Sequence, residues 1–204
     1  ASVLLQLAGQ NVLVDPDFAP RVGAIFPRFV PPAMLPDQLP QIDLILITHN
    51  HYDHLDIRSV DALPRTATVV VPSGLGAWFC HFGFARVVEL NWWEQVTLRD
   101  LRVTLVPARH WSRRGPFDTN RTLWGGFVVD AEGVSVYHAG DTAWFDGFKE
   151  IGRRFPQLSV ALIPIGGYAP QWFMQHNHFT PEEAGQAFVD LGARQFIPIH
   201  WGTF

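Results

Sequence analysis

Short apolar runs, most of them rich in Val, Ile and Leu, recur along the 204 residues and constrain the fold more than any other feature of the sequence. Runs of this length, bounded by turn-forming residues, are typical of strands buried in a sheet. We predict strands at residues 3–7, 11–15, 43–48, 68–72, 87–90, 101–108, 123–130, 134–138, 159–165 and 195–199.

Helices are predicted between these strands, at residues 55–63, 73–82, 144–154 and 180–191. The last has the clearest boundaries, because Thr180, Pro181 and Glu183 form the pattern of an N-cap, a first-turn proline and a capping-box carboxylate. Gly192 supplies the stop. Strands outnumber helices, so the pattern predicts an α/β (α+β) protein in which two packed sheets are covered by helices.

The segment from Asp15 to Pro40 holds seven prolines, so we predict a long loop there and no regular element. With 48% apolar residues, the chain can bury one sizeable core, and we predict a single domain over residues 1–204. The chain opens within a strand pair and stops directly after an apolar strand, so we expect it to be truncated at both ends.

Composition excludes several classes of function and site. The formal charge is −4 without a Lys/Arg cluster, which argues against nucleic acid as a partner. Cys80 is the single cysteine, so a metal would be held by nitrogen and oxygen ligands. No signal peptide and no apolar run of membrane-spanning length is present, so we expect a soluble or peripheral membrane protein and leave the compartment open.

The segment DLILITHNHYDHLD carries the strongest chemical signal. A buried strand ends at Thr48 and is followed within six positions by four side chains of the metal-ligand type, which are His49, His51, Asp53 and His54. Alternate residues at a strand end share a face, so His49 and His51 can bind one ion while Asp53 and His54 turn toward a second. A loop that contains histidines by chance is the alternative, and this spacing argues against it.

Two ions need further ligands, and later apolar runs end at His110, Asp141 and His200. Loops that follow strands on a rigid scaffold are where reactive groups concentrate. Taken singly, each has an ordinary structural alternative: a packed loop histidine for His110, a turn residue for Asp141 and a capped strand end for His200. Taken together, they favour a metal site.

The stretches HNHYDH, HAGDT and the final IPIH resemble the metallo-β-lactamase superfamily, which implies a four-layer αββα sandwich with a dinuclear metal site. Longer segments resemble the N-acyl-phosphatidylethanolamine-hydrolysing phospholipase D family and its bacterial relatives. They are ILITHNHYDHLD, HWSRRGPFDTNRTLWGGF, HAGDTAWFDGFKEIGRRF, IPIGGYAPQWFM, HNHFTPEEA and IPIHWGTF. The resemblance covers residues 43–204.

This resemblance implies a ligand set by position. The first cation would be bound by His49, His51 and His110, the second by Asp53, His54 and His200, with Asp141 bridging the two. The expected cofactor is a pair of Zn²⁺ ions, with iron or manganese as alternatives. Two cations lower the pKa of a shared water, which would attack the phosphorus of a phosphodiester; Asp53 and Asp141 are therefore also catalytic candidates.

Other residues are candidates for supporting roles. Asp56 is predicted either to orient a ligand histidine or to sit at a helix N-terminus, where its charge suits the helix dipole. His178 is the candidate for a contact with the phosphate or the leaving group, as the resemblance suggests, and a loop anchor is its alternative. Aromatic residues beside the ligands predict an apolar substrate. The substrate-binding candidates are His178, Trp111, Arg113, Tyr168 and Trp172.

The expected activity is phospholipase D-type hydrolysis that releases an N-acylethanolamine and leaves phosphatidic acid. A lactonase, or a hydrolase of small or cyclic phosphodiesters, is the second interpretation, and a metal-binding module without turnover is the third. The expected partner is a phospholipid or another apolar phosphodiester, with peripheral membrane contact and a homodimer as further expectations.

Overall fold

The computed structural model describes residues 2–23 and 25–203, and its chain divides into two compact units that each contain one large sheet. The first unit comprises residues 1–91, 112–123 and 202–204, and the second comprises residues 92–111 and 124–201.

The first unit is built on a five-stranded sheet. In spatial order, its strands are β1 Val3–Leu7, β2 Gln10–Val14, β5 Leu44–Leu46, β6 Thr68–Pro72 and β7 Val87–Leu90, and its helices are α1 Ile57–Asp61 and α2 Gly76–His81. β1 and β2 form an antiparallel pair, whereas β2, β5, β6 and β7 run parallel, so the last four strands end at one edge. Parallel strands require burial on both faces, and β5 and β6 are accordingly almost wholly apolar.

The second unit is built on a six-stranded sheet. In spatial order, its strands are β8 Gln95–Leu98, β9 Leu101–Val106, β10 Gly126–Ala131, β11 Val134–His138, β12 Val160–Pro164 and β13 Gln195–Ile199. Its helices are α3 Gly147–Arg154, α4 Gln171–Met174 and α5 Pro181–Leu191. Neighbouring strands pair antiparallel from β8 to β11 and parallel from β11 to β13. Phe148, Ile151 and Phe179 belong to its buried core.

All ten predicted strands and all four predicted helices are present, with boundaries shifted by a few residues. The capping box of α5 is confirmed, because Thr180 Oγ1 accepts from Glu183 N and Glu183 Oε2 accepts from Thr180 N. Outside the proline-rich segment, two elements escaped prediction. β8 alternates half-buried and exposed residues and contains only Val96 and Leu98 as apolar residues, and α4 has only four residues.

Three predictions need correction. The proline-rich segment is not wholly irregular, because it contains the antiparallel pair β3 Arg21–Val22 and β4 Phe26–Pro27 and a 3-10 helix at Pro36–Gln38. Strand β13 lies at the sheet edge, so it is partly exposed and not buried as predicted. The predicted strand at residues 123–130 included Trp124, but β10 begins at Gly126, and the Trp124 indole Nε1 donates to Ala108 O.

None of the helices in the described part of the chain combines the length and apolar character that crossing a bilayer requires. The single-domain assignment of residues 1–204 stays a prediction.

Candidate metal centre

In the first unit, four predicted ligands lie on the loop that follows β5. Residues Ile47 and Thr48 are fully buried, and a tight turn then closes through bonds from His54 N and Leu55 N to His51 O, at 3.1 and 2.9 Å. The turn brings the side chains together: His49 Nε2 lies 2.9 Å from His51 Nδ1, and His54 Nε2 lies 3.4 Å from Asp53 Oδ2. The sequence therefore delivers four donor groups to one end of the parallel strands.

Asp15 is a member of this cluster that the sequence analysis missed. It follows β2, which runs parallel beside β5, so it emerges at the same edge as the histidine loop. Its carboxylate accepts from Thr48 N, Thr48 Oγ1 and His54 Nδ1 at 2.7, 2.6 and 2.7 Å, and the side chain is completely buried. The available signal was an aspartate at the end of an apolar run, the same signal that identified Asp141.

These bonds determine which imidazole nitrogens carry protons. A carboxylate only accepts, so His54 Nδ1 donates to Asp15 and leaves Nε2 as the nitrogen with a lone pair. The single hydroxyl proton of Thr48 goes to Asp15, so Thr48 Oγ1 accepts from His49 Nδ1 at 3.0 Å. Both histidines thus present an Nε2 lone pair, which is the form that binds a metal.

In the second unit, the other predicted ligands follow β9, β11 and β13, which reach the same sheet edge through their pairing registers. Asp141 is buried at the centre of this group. Its carboxylate oxygens lie 3.9 Å from His110 Nε2, 3.3 Å from His200 Nε2 and 4.0 Å from His178 Nδ1. The ligand atoms of His110, Asp141 and His178 all lie within 4.8 Å of one another, as a shared cation would require.

His110 has the same protonation pattern as His54. Its Nδ1 lies 3.1 Å from the carbonyl oxygen of Asn177, and a carbonyl oxygen can only accept. The proton therefore sits on Nδ1, and Nε2, which then carries the lone pair, lies 3.9 Å from Asp141 Oδ2. A buried lone pair beside a buried carboxylate is repulsive, and a cation between the two groups removes that repulsion.

Two glycines in the loop after β12, Gly166 and Gly167, let this loop approach the second cluster closely. A Cβ atom on Gly166 would collide with the carbonyl oxygen of His200, and one on Gly167 would lie 3.1 Å from His178 Nδ1. His200 itself has a positive φ of 58°, a conformation that few non-glycine residues adopt. The close approach of this loop to both histidines therefore positions His178 and His200, whose stacked rings have centroids 5.8 Å apart.

The donor set of each unit fits divalent metal ions. Imidazole nitrogens and carboxylates are the ligands of zinc sites without cysteine, and iron and manganese accept the same donors. The structure brings His49, His51, Asp53 and His54 together in the first unit and His110, Asp141 and His200 together in the second, with His178 beside them.

The remaining candidates lie in different settings. Asp56 is the N-cap of α1, and its carboxylate accepts from Ser59 N and Ser59 Oγ at 2.8 and 2.7 Å, as the helix-terminus alternative predicts. Trp111 is half-buried, with its ring centroid 6.4 Å from that of His110. Tyr168 precedes α4 and Trp172 lies within it, and their exposed fractions are 40% and 76%.

Arg113 is exposed and donates from Nε to Gly115 O, whereas its neighbour Arg114 has a structural role. Arg114 Nη1 donates to Asn50 O and Leu55 O, and the guanidinium lies over the Tyr52 ring at 4.3 Å. Burial lowers the pKa of Arg114. Asn50 Oδ1 also accepts from Arg113 N, so this basic segment braces the histidine loop.

Sequence comparison assigns the family. The profile of the beta-lactamase superfamily domain matches residues 10–201, which is most of the chain. The chain belongs to the beta-lactamase superfamily. The ligand spacing read from the sequence and the fold class are both consistent with this membership, and the predicted superfamily is confirmed.

Two relatives of this superfamily member bear on its chemistry. The N-acyl-phosphatidylethanolamine-hydrolyzing phospholipase D 1 of Caenorhabditis elegans is 36% identical over all of this chain and 62% of its own length. A UPF0173 metal-dependent hydrolase of Rubrobacter xylanophilus is 34% identical over 96% of this chain and 76% of its own length. The chain thus spans less than two thirds of the phospholipase D relative, and its family is one of metal-dependent hydrolases.

A solved structure agrees with these relatives. Igni18, a metallo hydrolase from the archaeon Ignicoccus hospitalis, is 27% identical and superposes with a TM-score of 0.76 over 100% of this chain and 80% of its own. The predicted metallo-β-lactamase fold and the general prediction of a metal-dependent hydrolase are therefore confirmed.

Proposed function

We propose that this superfamily member is a dinuclear metal-dependent phosphodiesterase that hydrolyses N-acyl-phosphatidylethanolamine to an N-acylethanolamine and phosphatidic acid. The observation that carries the proposal is the 36% identity, over the entire chain, to the phospholipase D of Caenorhabditis elegans. The clusters of histidine and aspartate at the strand ends of each unit supply the ligand chemistry that such an enzyme needs.

In this proposal, His49, His51 and His110 hold one cation, and Asp53, His54 and His200 hold the other, with Asp141 shared. Zinc is the proposed metal, and iron or manganese would suit the same donors. When bound, the two cations would lower the pKa of a water between them and neutralise charge on the phosphate oxygens.

The protein groups around the cations have separable tasks. Asp15 and the Asn177 carbonyl hold the proton on Nδ1 of His54 and His110, so both ligands keep the protonation state for metal binding. In this proposal His178, whose Nδ1 lies 4.0 Å from Asp141 Oδ2, contacts the phosphate or protonates the leaving alkoxide. Arg113 is an exposed cation suited to a phosphate, and Trp111, Tyr168 and Trp172 offer aromatic surface for acyl chains.

A substrate panel tests the proposal. Zinc-loaded protein should release N-acylethanolamine from N-acyl-phosphatidylethanolamine and should cleave a chromogenic phosphodiester more slowly. The Asp141→Asn variant should lose about 10³-fold in turnover on both substrates and bind less metal. Full activity in that variant, or lipid hydrolysis without bound metal, would contradict the mechanism.

A second candidate is another hydrolytic activity on the same centre, such as a lactonase or a small-phosphodiester hydrolase. It is favoured by the 34% identity to the UPF0173 metal-dependent hydrolase, whose name specifies no substrate. Rapid opening of a lactone together with an inert N-acylated lipid would select this candidate. The homodimer stays a prediction, to be checked by sedimentation velocity.

A further inference from the structure

Four large apolar side chains lie on the surface of the first unit, in and directly after the β3–β4 pair. Ile25, Phe26, Phe29 and Val30 are between 55% and 78% exposed, within a stretch of six residues. Isolated exposed apolar residues are ordinary, but a contiguous group marks a surface that contacts another apolar phase. We call residues 25–30 the apolar edge.

The backbone beneath the apolar edge is held in place, so its side chains do not fold inward. Arg28 anchors it: the side chain donates to Ala19 O and Asp17 O at 2.9 and 2.8 Å and forms an ion pair with Asp17 Oδ2 at 2.9 Å. Phe29 N donates to Thr203 O at 2.7 Å. Because this anchoring orders the edge before any partner binds, less conformational entropy is lost on docking.

Charge around the apolar edge suits an anionic surface. Residues 18–36 contain Arg21 and Arg28 and no carboxylate, although the whole chain has a formal charge of −4. The ion pair with Asp17 neutralises Arg28, whereas Arg21 is exposed. An exposed cation beside exposed Phe and Ile is the composition of segments that bind at the interface of anionic bilayers.

The β3–β4 pair, which carries the start of the apolar edge, approaches the histidine loop through Gly23, two residues before Ile25. A Cβ atom on Gly23 would lie 3.7 Å from Cγ of Tyr52, which stands between His51 and Asp53 in the sequence. Tyr52 is itself 45% exposed. A lipid surface docked on the edge would therefore lie next to the loop that carries four proposed ligands.

From these observations we propose that the apolar edge inserts into the interface of a lipid bilayer, with Arg21 at the level of anionic headgroups. A second copy of the chain is the competing occupant of this face, and the exposed cation at Arg21 favours an anionic surface over it. The inference deepens the proposed function by identifying where a membrane lipid would be presented, and it rests on that function only for the identity of the lipid.

Vesicle flotation tests the apolar edge without turnover. The 204-residue protein should bind vesicles of phosphatidylcholine mixed with phosphatidylglycerol, and Phe26→Ser/Phe29→Ser should reduce its partition coefficient by about tenfold or more. Val189→Ser is the matched control, because Val189 is 68% exposed on α5, and this variant should bind as the parent does. Arg21→Glu should weaken binding to the anionic vesicles and leave binding to pure phosphatidylcholine unchanged.

The outcomes separate the two proposals. Equal flotation of parent and double variant, or no flotation of the parent, overturns the apolar edge whatever the enzyme hydrolyses. Normal cleavage of a soluble chromogenic phosphodiester by the double variant shows that its fold is intact. If flotation depends on Phe26 and Phe29 but N-acyl-phosphatidylethanolamine is inert, the edge stands and the proposed substrate falls. A dimer that dissociates in the double variant, with flotation unchanged, assigns the face to self-association and overturns the inference.

Discussion

His54 donates its Nδ1 proton to the buried carboxylate of Asp15 across 2.7 Å, although the two residues are 39 positions apart in the sequence. This bond determines the orientation and protonation of a proposed metal ligand. We expect Asp15→Asn to weaken metal binding by about 10- to 100-fold, because a carboxylate partner raises the basicity of the imidazole. Asn tolerates the positive φ of 45° at this position, so the backbone should be preserved. Chelator competition measures the affinity.

The control for Asp15 is Asp43→Asn. Asp43 Oδ2 accepts from Asn11 N at 3.0 Å at the opposite end of the β2–β5 pair, so its loss should reduce stability without changing metal affinity. Unaltered affinity in Asp15→Asn, or an equal loss in both variants, would show that Asp15 does not position His54.

A substitution at His178 tests whether this residue binds the metal or acts on the substrate. In His178→Gln we expect the metal content of the parent protein and a fall in kcat of about 100-fold, because a general acid near the leaving group would be removed. The exposed His176, two residues earlier, provides the control His176→Gln, which should retain full activity. Loss of metal from His178→Gln would instead make His178 a ligand beside His110 and Asp141.

Gly166 tests the close approach that positions His200. Ala at this position would place a Cβ against the carbonyl oxygen of His200, so we expect a loss of about 1–3 kcal/mol in the free energy of unfolding and reduced metal affinity. Gly185→Ala in α5 is the contrasting change. Apart from its chain neighbours and the backbone of its own helix, no atom of the described residues would lie within 4 Å of an added Cβ, and a helical Ala should stabilise by about 0.5–1 kcal/mol. The free energy of unfolding is measured by chemical denaturation of both variants, and their metal content is measured beside it.

Glu150 makes stability depend on pH in the acid range. Hydrogen bonds from Arg153 and Arg154 lower the pKa of its carboxyl from 4.5 to about 2. A folded-state pKa below the unfolded value means that the stabilisation is complete above pH 4.5 and is lost as the pH falls through about 2. The Tm difference between the parent protein and Glu150→Gln should therefore become smaller as the pH is lowered from 4.5 to about 2. Replacing both arginines with Gln should abolish this trend, and a pH-independent difference would contradict it.

Local pattern accounts for much of what could be predicted. Periodicity and capping residues located the long elements, and ligand-type residues at strand ends located seven proposed ligands. Elements with a weak local signal, such as β8, were not predicted, and neither were contacts between residues far apart in the chain, such as that of Asp15 with His54. Asp56 has the sequence of a helix cap as well as that of a supporting carboxylate, and the structure shows its bonds to Ser59.

The sequence by itself determined most of the strands and helices and the chemical types of the donor groups, because these depend on side chains close together in the chain. Only the tertiary structure decided which groups support them. Asp15 reaches His54 because β2 pairs in parallel with β5, and the Asn177 carbonyl reaches His110 across 67 positions. Pairing register and loop approach arise from long-range packing, which no local pattern of residues specifies.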